Sequence, residues 1–97
     1  MDTKYLTYIL TIAKRQNMTK AAEDLFVSQS SLSQYLSKLE NELGTALFYR
    51  SKGSLTLTPA GELYVAAAEE VVHIKDNLYR SIQNIDNRGH ITIGVTS

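Results

Sequence analysis

The residues best equipped for chemistry are polar side chains near the middle of the chain. Gln29, Ser30, Ser33 and Gln34 recur at a spacing that puts them on one side of a helix. Their amides and hydroxyls both donate and accept hydrogen bonds. The base edges in the major groove of DNA require such groups, and glutamine can bind an adenine edge through two hydrogen bonds. This face therefore predicts a helix that reads bases.

A second group of residues is suited to phosphate. Lys20, Arg50 and Lys52 carry the positive charge that the DNA backbone attracts, and Lys38 lies beside the polar face. The backbone N–H groups from Ser28 to Ser31 begin a helix, where an anion is favoured. Contacts of this kind would position the chain on DNA without reading its sequence.

Each of these residues also has a purely structural interpretation. Serines at the start of a helix are often caps, and Lys52 in a turn is often only solvated. Arg50 could instead pair with a carboxylate such as Glu42. Tyr35 flanks the polar face and could touch the DNA backbone or belong to the core. Composition and spacing leave these alternatives open.

Three helices would position these groups. Apolar spacing predicts a first helix over residues 3–15, and a third helix that ends before Gly44, a C-terminal cap. Thr19 is predicted to cap a short second helix and Ser28 to cap the third. The core-facing positions of the three helices would be Leu6, Ile9, Leu10, Ala13, Ala21, Ala22, Leu25, Leu32, Leu36, Leu39 and Leu43.

A small hairpin, or wing, is predicted to follow. Residues 46–49 are apolar, residues 51–54 have the small side chains and the glycine typical of a turn, and residues 55–57 alternate like a strand. The predicted fold class is therefore mainly α. It is a winged helix-turn-helix, with three helices and a small β-hairpin, followed by a long dimerisation helix.

Thr58 and Pro59 predict the start of that long helix, because threonine caps a helix and proline is tolerated at its first position. The helix would run to about Asp86. Its apolar residues form one stripe that a chain of this size cannot bury alone, which predicts a homodimer through residues 59–86. The predicted interface residues are Leu63, Ala67, Val71, Ile74, Leu78, Ile82 and Ile85, and the small side chains of Ala66, Ala67 and Ala68 would allow close approach.

The elements also predict the domain organisation. Residues 1–58 would form the winged helix-turn-helix domain and residues 59–88 the linker helix. Residues 89–97 contain a strand-like run at 91–95 that has no sheet partner in this chain. They are predicted to be the truncated first strand of another domain.

Composition bounds the remaining possibilities. The 97 residues include no cysteine, which excludes a disulfide framework and a thiolate metal site and fits a reducing cytoplasm. No apolar run approaches the roughly 18 residues that a membrane span needs. The net charge is zero, but its distribution is uneven. Residues 1–58 hold seven Lys/Arg and five Asp/Glu, a net +2, and residues 59–88 hold three and five, a net −2.

The run TKAAEDLFVSQSSLS at 19–33 resembles the helix-turn-helix of LysR-type transcriptional regulators. The resemblance continues in order and without gaps through LE at 39–40, ELG at 42–44, LF at 47–48, Arg50, LTPAG at 57–61 and ITIGV at 91–95. It implies a bacterial, cytoplasmic regulator that binds double-stranded promoter DNA and dimerises through paired linker helices. The full-length protein would be a tetramer, with a small-molecule co-inducer bound to a domain absent from this chain. No cofactor and no metal are implied.

The resemblance also assigns roles to individual residues. Base contacts would come from the positions of Gln29, Ser30, Ser33 and Gln34. Contacts with phosphate and from the wing would come from Thr19, Lys20, Ser31, Arg50, Lys52 and Gly53.

This sequence departs from the family pattern at four positions. Ser30 stands where proline is usual, and Gln34 stands where arginine is common. Gly53 and Thr56 lie where the wing usually bears arginine. The departures predict a less rigid helix start and a weak wing contact. They also predict that the DNA affinity of this chain falls less with added salt than is usual in the family.

Two other classes of function compete with sequence-specific DNA binding. A protein-interaction module, in which the long helix does all the binding, would show the same apolar stripe. An enzyme is the weakest alternative, because His73 and His90 are the only histidines and no Ser/His/Asp set, paired acid site or glycine-rich phosphate loop is evident. The chain is therefore predicted not to be an enzyme.

Overall fold

Three helices, a two-stranded hairpin and a long fourth helix make up the fold. The computed structural model describes residues 3–87. In chain order they form α1 (Thr3–Arg15), α2 (Met18–Leu25), α3 (Gln29–Leu43), β1 (Phe48–Ser51), β2 (Ser54–Leu57) and α4 (Pro59–Asn87). This confirms the predicted mainly α architecture. The strand predicted at 91–95 lies outside the described residues.

The core lies between the first three helices and the base of the hairpin. Its largest fully buried side chains are Ile12, Leu32, Leu36 and Leu47, and burying each of them contributes about 1.5–3 kcal/mol. Ala21 is also fully buried, and its small side chain lets the neighbouring helix approach α2 closely. The polar face of α3 is thereby held on the outside.

The start of α2 differs from the sequence prediction. Asn17, not Thr19, is the N-cap: its backbone is extended, and its Oδ1 accepts the N–H of Lys20 at 2.9 Å. Thr19 therefore lies inside the first turn. Both side chains are good caps by type. Met18 packs against the core, which favours the earlier start.

The turn between α2 and α3 holds Phe26 in a left-handed conformation, with φ 58° and ψ 40°. Its side chain is 94% exposed, and a bulky residue loses about 1–2 kcal/mol in this backbone region. The N–H of Phe26 donates to the carbonyl of Glu23, and the N–H of Val27 donates to that of Ala22. The strained turn therefore also closes the end of α2.

α3 begins and ends where the sequence predicted. Ser28 is its N-cap, and Gly44, with φ 75°, is its C-cap. Leu43, however, is exposed rather than part of the core. Residues 41–46 are all exposed, so the last turn of α3 extends beyond the core.

Tyr35 belongs to the contact between α1 and α3. Its ring packs edge-on against the rings of Tyr5 and Tyr8, with centroid distances of 4.4 and 4.7 Å. Of the two alternatives left open by the sequence, the structure shows the core contact.

The hairpin turn is tighter than predicted. β1 and β2 are antiparallel, and Ser51 lies opposite Ser54. Only Lys52 and Gly53 form the turn, instead of the predicted residues 51–54. Both have positive φ, 44° and 79°, as a type I′ turn requires.

The base of the hairpin is fastened to the start of α4. The Oγ1 of Thr58 accepts the N–H of Gly61 at 3.0 Å, which confirms the predicted cap before Pro59. The same hydroxyl donates to the carbonyl of Ala46 at 2.7 Å. The N–H of Thr58 donates to the carbonyl of Leu47 at 3.0 Å. Gly61 lies so close that a Cβ on it would overlap this Leu47 carbonyl.

α4 packs against α1 along its first turns and then leaves the domain. Ala68 is buried and Tyr64 is half-buried in this part, and burial raises the pKa of the Tyr64 phenol. All side chains from 76 to 85 are exposed. Within residues 3–87, no helix combines the length and the apolar character needed to cross a membrane.

Candidate nucleic-acid interface

The polar face of α3 is open to solvent. Gln29, Ser30 and Gln34 are exposed, and Ser33 is half-buried, while Leu32 behind them is completely buried. The four predicted base-contacting residues thus line one surface. This surface also includes Ser37, Lys38, Asn41 and Glu42.

Most hydrogen-bonding groups on this face are uncommitted. Within residues 3–87, the side chains of Gln29, Ser33, Gln34 and Lys38 make no hydrogen bond or ion pair. Their donors and acceptors face water. A ligand with a complementary pattern could bind them without breaking any contact inside the protein.

The start of α3 is less available to an anion than the sequence predicted. The Oγ of Ser28 accepts the N–H of Ser31 at 3.1 Å and donates to the Oγ of Ser31 at 2.8 Å. The prediction of unpaired N–H groups from Ser28 to Ser31 is therefore wrong for Ser31, whose amide is satisfied by the cap. The Oγ of Ser30 also lies 3.4 Å from that of Ser28.

The wing lies beside the first two turns of α3. Gln29 and Ser33 line a second concave surface together with residues 50–55 of the hairpin. The fold therefore brings Arg50, Lys52 and Gly53 next to the predicted base-contacting residues.

The predicted phosphate-contacting residues of α2 are not part of these two surfaces, although their neighbour Met18 lines the second one. Thr19 and Lys20 are exposed on the first turn of α2, and neither lines the surfaces described above.

Glu40 fastens α3 to the wing. Its Oε2 accepts the N–H of Leu47 at 2.7 Å and that of Phe48 at 3.4 Å. Its Oε1 accepts a hydrogen bond from the Arg50 guanidinium at 3.3 Å. Arg50 therefore does pair with a carboxylate, as its structural interpretation predicted, but the partner is Glu40 and not Glu42, because β1 returns beside the Glu40 carboxylate. This carboxylate is 14% exposed, so it supports the surface from behind.

Replacing Glu40 with alanine should lower the free energy of unfolding by about 1–3 kcal/mol, because the part-buried N–H of Leu47 loses its acceptor. Glu40→Gln keeps a side-chain oxygen for that N–H and should recover most of the loss. Urea unfolding followed by circular dichroism measures both changes. Glu42→Ala is the matched control: Glu42 is exposed, and the change should cost less than about 0.5 kcal/mol. Equal losses at the two positions would contradict this role of Glu40.

Sequence reasoning placed Ser37 on the polar face of α3 without giving it a DNA contact, and it missed Glu40 and Asn41 as members of the site. Asn41 continues the polar row one turn after Ser37, so extending the row by that turn would have found it. Glu40 carries no such signal. Its partners are seven to ten residues away and meet it only after the chain has turned back.

The apolar stripe of α4 is uncovered in the described chain. Ala68 is an exception to the prediction for the three alanines: helical rotation turns its side chain toward α1, and it is buried there. Val71 is half-buried, and Ala67 is exposed. The large side chains are 49–76% exposed, namely Leu63, Ile74, Leu78, Ile82 and Ile85.

His73 takes part in a short hydrogen-bonded row on the surface of α4. Its Nε2 lies 3.2 Å from the Nδ2 of Asn77, whose Oδ1 accepts from Arg80 at 3.1 Å. Among residues 3–87, no three His, Cys, Asp or Glu side chains are placed to hold a metal ion. His90 lies outside the described residues.

Comparison with known sequences identifies relatives over the whole chain. Residues 3–62 match the family model of the bacterial regulatory helix-turn-helix protein, lysR family. The chain is 47% identical over 97 residues to the uncharacterized HTH-type transcriptional regulator YcgK of Bacillus subtilis (strain 168), covering 98% of this chain and 30% of YcgK. It is 35% identical over 99 residues to the HTH-type transcriptional regulator BudR of Klebsiella aerogenes, covering 100% of this chain and 69% of BudR. The chain thus spans about 30% of the length of YcgK.

Solved structures share the whole fold. The BenM_DBD/catB site 1 DNA complex has a TM-score of 0.84 and 30% identity, covering 94% of this chain and 100% of that one. The CbnR_DBD-DNA complex has a TM-score of 0.78 and 28% identity, covering 89% and 99%. Both are crystal structures with DNA.

Proposed function

This chain belongs to the LysR family of bacterial regulatory helix-turn-helix proteins, which are transcriptional regulators and not enzymes, and on that premise we propose that it binds double-stranded promoter DNA sequence-specifically. α3 would enter the major groove and read base edges through Gln29, Ser30, Ser33 and Gln34. The observation that carries the proposal is the exposed polar face of α3, whose glutamine amides have no partner within residues 3–87.

Energetics favour base reading by such a face. An exposed amide loses its hydrogen bonds to water when it enters the groove, and only a base edge with the complementary pattern restores them. A mismatched base leaves a donor or an acceptor unsatisfied. Side chains that have no partner within the protein and lie on a rigid helix would therefore bind DNA more tightly where the base edges match their donors and acceptors than where they do not.

Groups around this face would contact the DNA backbone and position α3. Arg50 would contribute less than an unpaired cation, because its guanidinium shares its charge with Glu40 at 3.3 Å. This ion pair adds a reason to expect low salt sensitivity. The proposed phosphate and wing contacts are Thr19, Lys20, Ser28, Ser31, Lys38, Arg50, Lys52 and Gly53.

A second copy of the chain would be the other partner. Two α4 helices could cover each other's apolar stripe, and the resulting homodimer would present two α3 helices to two DNA half-sites. The proposed interface consists of Leu63, Ala67, Val71, Ile74, Leu78, Ile82 and Ile85.

The family resemblance supports further proposals for the full-length protein. They are a tetramer, a cytoplasmic location and a co-inducer bound to another domain. The proposed division is a DNA-binding domain at 1–58, a linker helix at 59–88 and the beginning of the co-inducer domain at 89–97.

Loss of a base contact tests the proposal. Ser33→Ala and Gln34→Ala should each weaken binding to a promoter site by about 1–3 kcal/mol, roughly 5- to 150-fold in Kd, and weaken binding to random duplex DNA much less. Fluorescence anisotropy at low salt measures both affinities. Gln83 is exposed and lies on the side of α4 away from the apolar stripe, so Gln83→Ala should leave both affinities unchanged.

Two results would count against base reading. Equal weakening on promoter and random DNA would mean that the two side chains contact only the backbone. No binding to either DNA at micromolar protein would favour a protein-interaction module that acts through the uncovered stripe of α4.

A further inference from the structure

We propose that α3 reads adenine rather than guanine, so that the half-site beneath its first two turns is rich in A·T pairs. The inference rests on the proposed function. It adds the chemical class of base edge that this face is built to bind.

Hydrogen-bond complementarity is the first step. Guanine presents two acceptors in the major groove, O6 and N7, whereas adenine presents the N7 acceptor beside the N6–H₂ donor. A glutamine amide offers one acceptor and one donor group side by side, and so matches adenine. Gln29 and Gln34 both line the open face of α3. They are about 7.5 Å apart along the helix axis, at ~1.5 Å per residue, so each can address a different base pair.

The positions of the cations are the second step. Residues 28–37 contain no lysine or arginine, and these are the side chains that donate twice to guanine. Lys38 follows them in the later turns of α3, whereas recognition helices place their N-terminal residues at base edges. Arg50, beside this face, is held by Glu40, and Lys52 reaches the surface only from the turn of the wing. The first two turns of α3 themselves therefore carry no lysine or arginine side chain.

Base analogues test the inference directly. A binding site is first selected from random duplex DNA with the 97-residue chain. Each adenine of a half-site is then replaced, one at a time, by deazaadenine, in which carbon takes the place of N7 and base pairing is kept. At least one replacement per half-site should weaken binding about fivefold or more. The corresponding deazaguanine replacements should change Kd less than twofold.

A specificity switch provides the second measurement. Gln34→Arg should move the preference at one base pair from A·T to G·C, since arginine donates twice to guanine. Gln83→Arg makes the same chemical change on the exposed far side of α4 and should leave the preference unchanged. Circular dichroism checks that both variants fold.

The outcomes separate this inference from the proposed function. Sequence-specific binding that depends on guanine N7 and not on adenine N7 would overturn the inference. So would a Gln34→Arg protein that binds more tightly without changing its base preference. If no preferred sequence can be selected from random duplex DNA, the proposed function itself would be contradicted.

Discussion

Replacing Gly61 with alanine is expected to lower the stability of the domain by about 3 kcal/mol or more, a large share of the roughly 5–15 kcal/mol of a typical domain. The new Cβ would overlap the Leu47 carbonyl, and this obstacle is backbone rather than a flexible side chain. Relief would require the start of α4 to move from the hairpin and break the hydrogen bonds of Thr58. Helix propensity alone predicts the opposite sign, a gain of about 0.5–1 kcal/mol for alanine.

Gly44→Ala is the matched control for this prediction. Gly44 has φ 75° and nothing within 4 Å of its added Cβ, so alanine meets only the left-handed backbone penalty of about 1–2 kcal/mol. Urea unfolding of both variants compares the two effects. A Gly61→Ala protein as stable as the wild type would contradict the prediction. It would mean that the start of α4 can shift away from the hairpin at little cost in stability.

The double variant Ile74→Asp/Leu78→Asp should be a monomer and should lose promoter affinity by about two orders of magnitude or more. Both side chains lie on the uncovered stripe, 66% and 55% exposed, so the folded monomer tolerates charge there. A dimer would have to bury four carboxylates without partners. Promoter affinity falls because two linked half-site contacts become independent. Sedimentation measures the mass, and anisotropy measures the binding.

Tyr79→Asp/Gln83→Asp supplies the control for charge. It adds the same two carboxylates at the same spacing, and both original residues are exposed and rotated away from the stripe. This variant should remain a dimer and bind promoter DNA nearly as tightly as the wild type. If the stripe variant kept the wild-type mass, the proposed interface would be wrong.

Local signals made much of the fold predictable. Ser28, Gly44 and Thr58 act as caps in the structure as expected from their types and positions. The orientation of the α3 face could also be predicted, because the same period that buries Leu32 turns Gln34 outward. Features that depend on a single helix or turn can therefore be predicted from the residues of that element alone.

Contacts between residues that are distant in sequence explain why other features were missed or predicted wrongly. Gly61 reads as a weak helix former, and its reason is a carbonyl fourteen residues earlier. Glu40 and Glu42 are equivalent acidic residues until β1 brings Arg50 to one of them. The choice of Asn17 over Thr19 as a cap likewise follows the packing of a neighbour. Spacing alone cannot rank such alternatives.

The tyrosines and α4 give the chain two separate spectroscopic reporters. The chain has no tryptophan, and the edge-to-face rings of Tyr5, Tyr8 and Tyr35 bridge α1 and α3, so near-ultraviolet dichroism follows the packing of the domain. Far-ultraviolet dichroism is weighted toward α4, whose 29 residues are about twice the 15 of α3. Since only the first turns of α4 rest on the domain, fraying of its far end would pull the two melting curves apart without any folding intermediate.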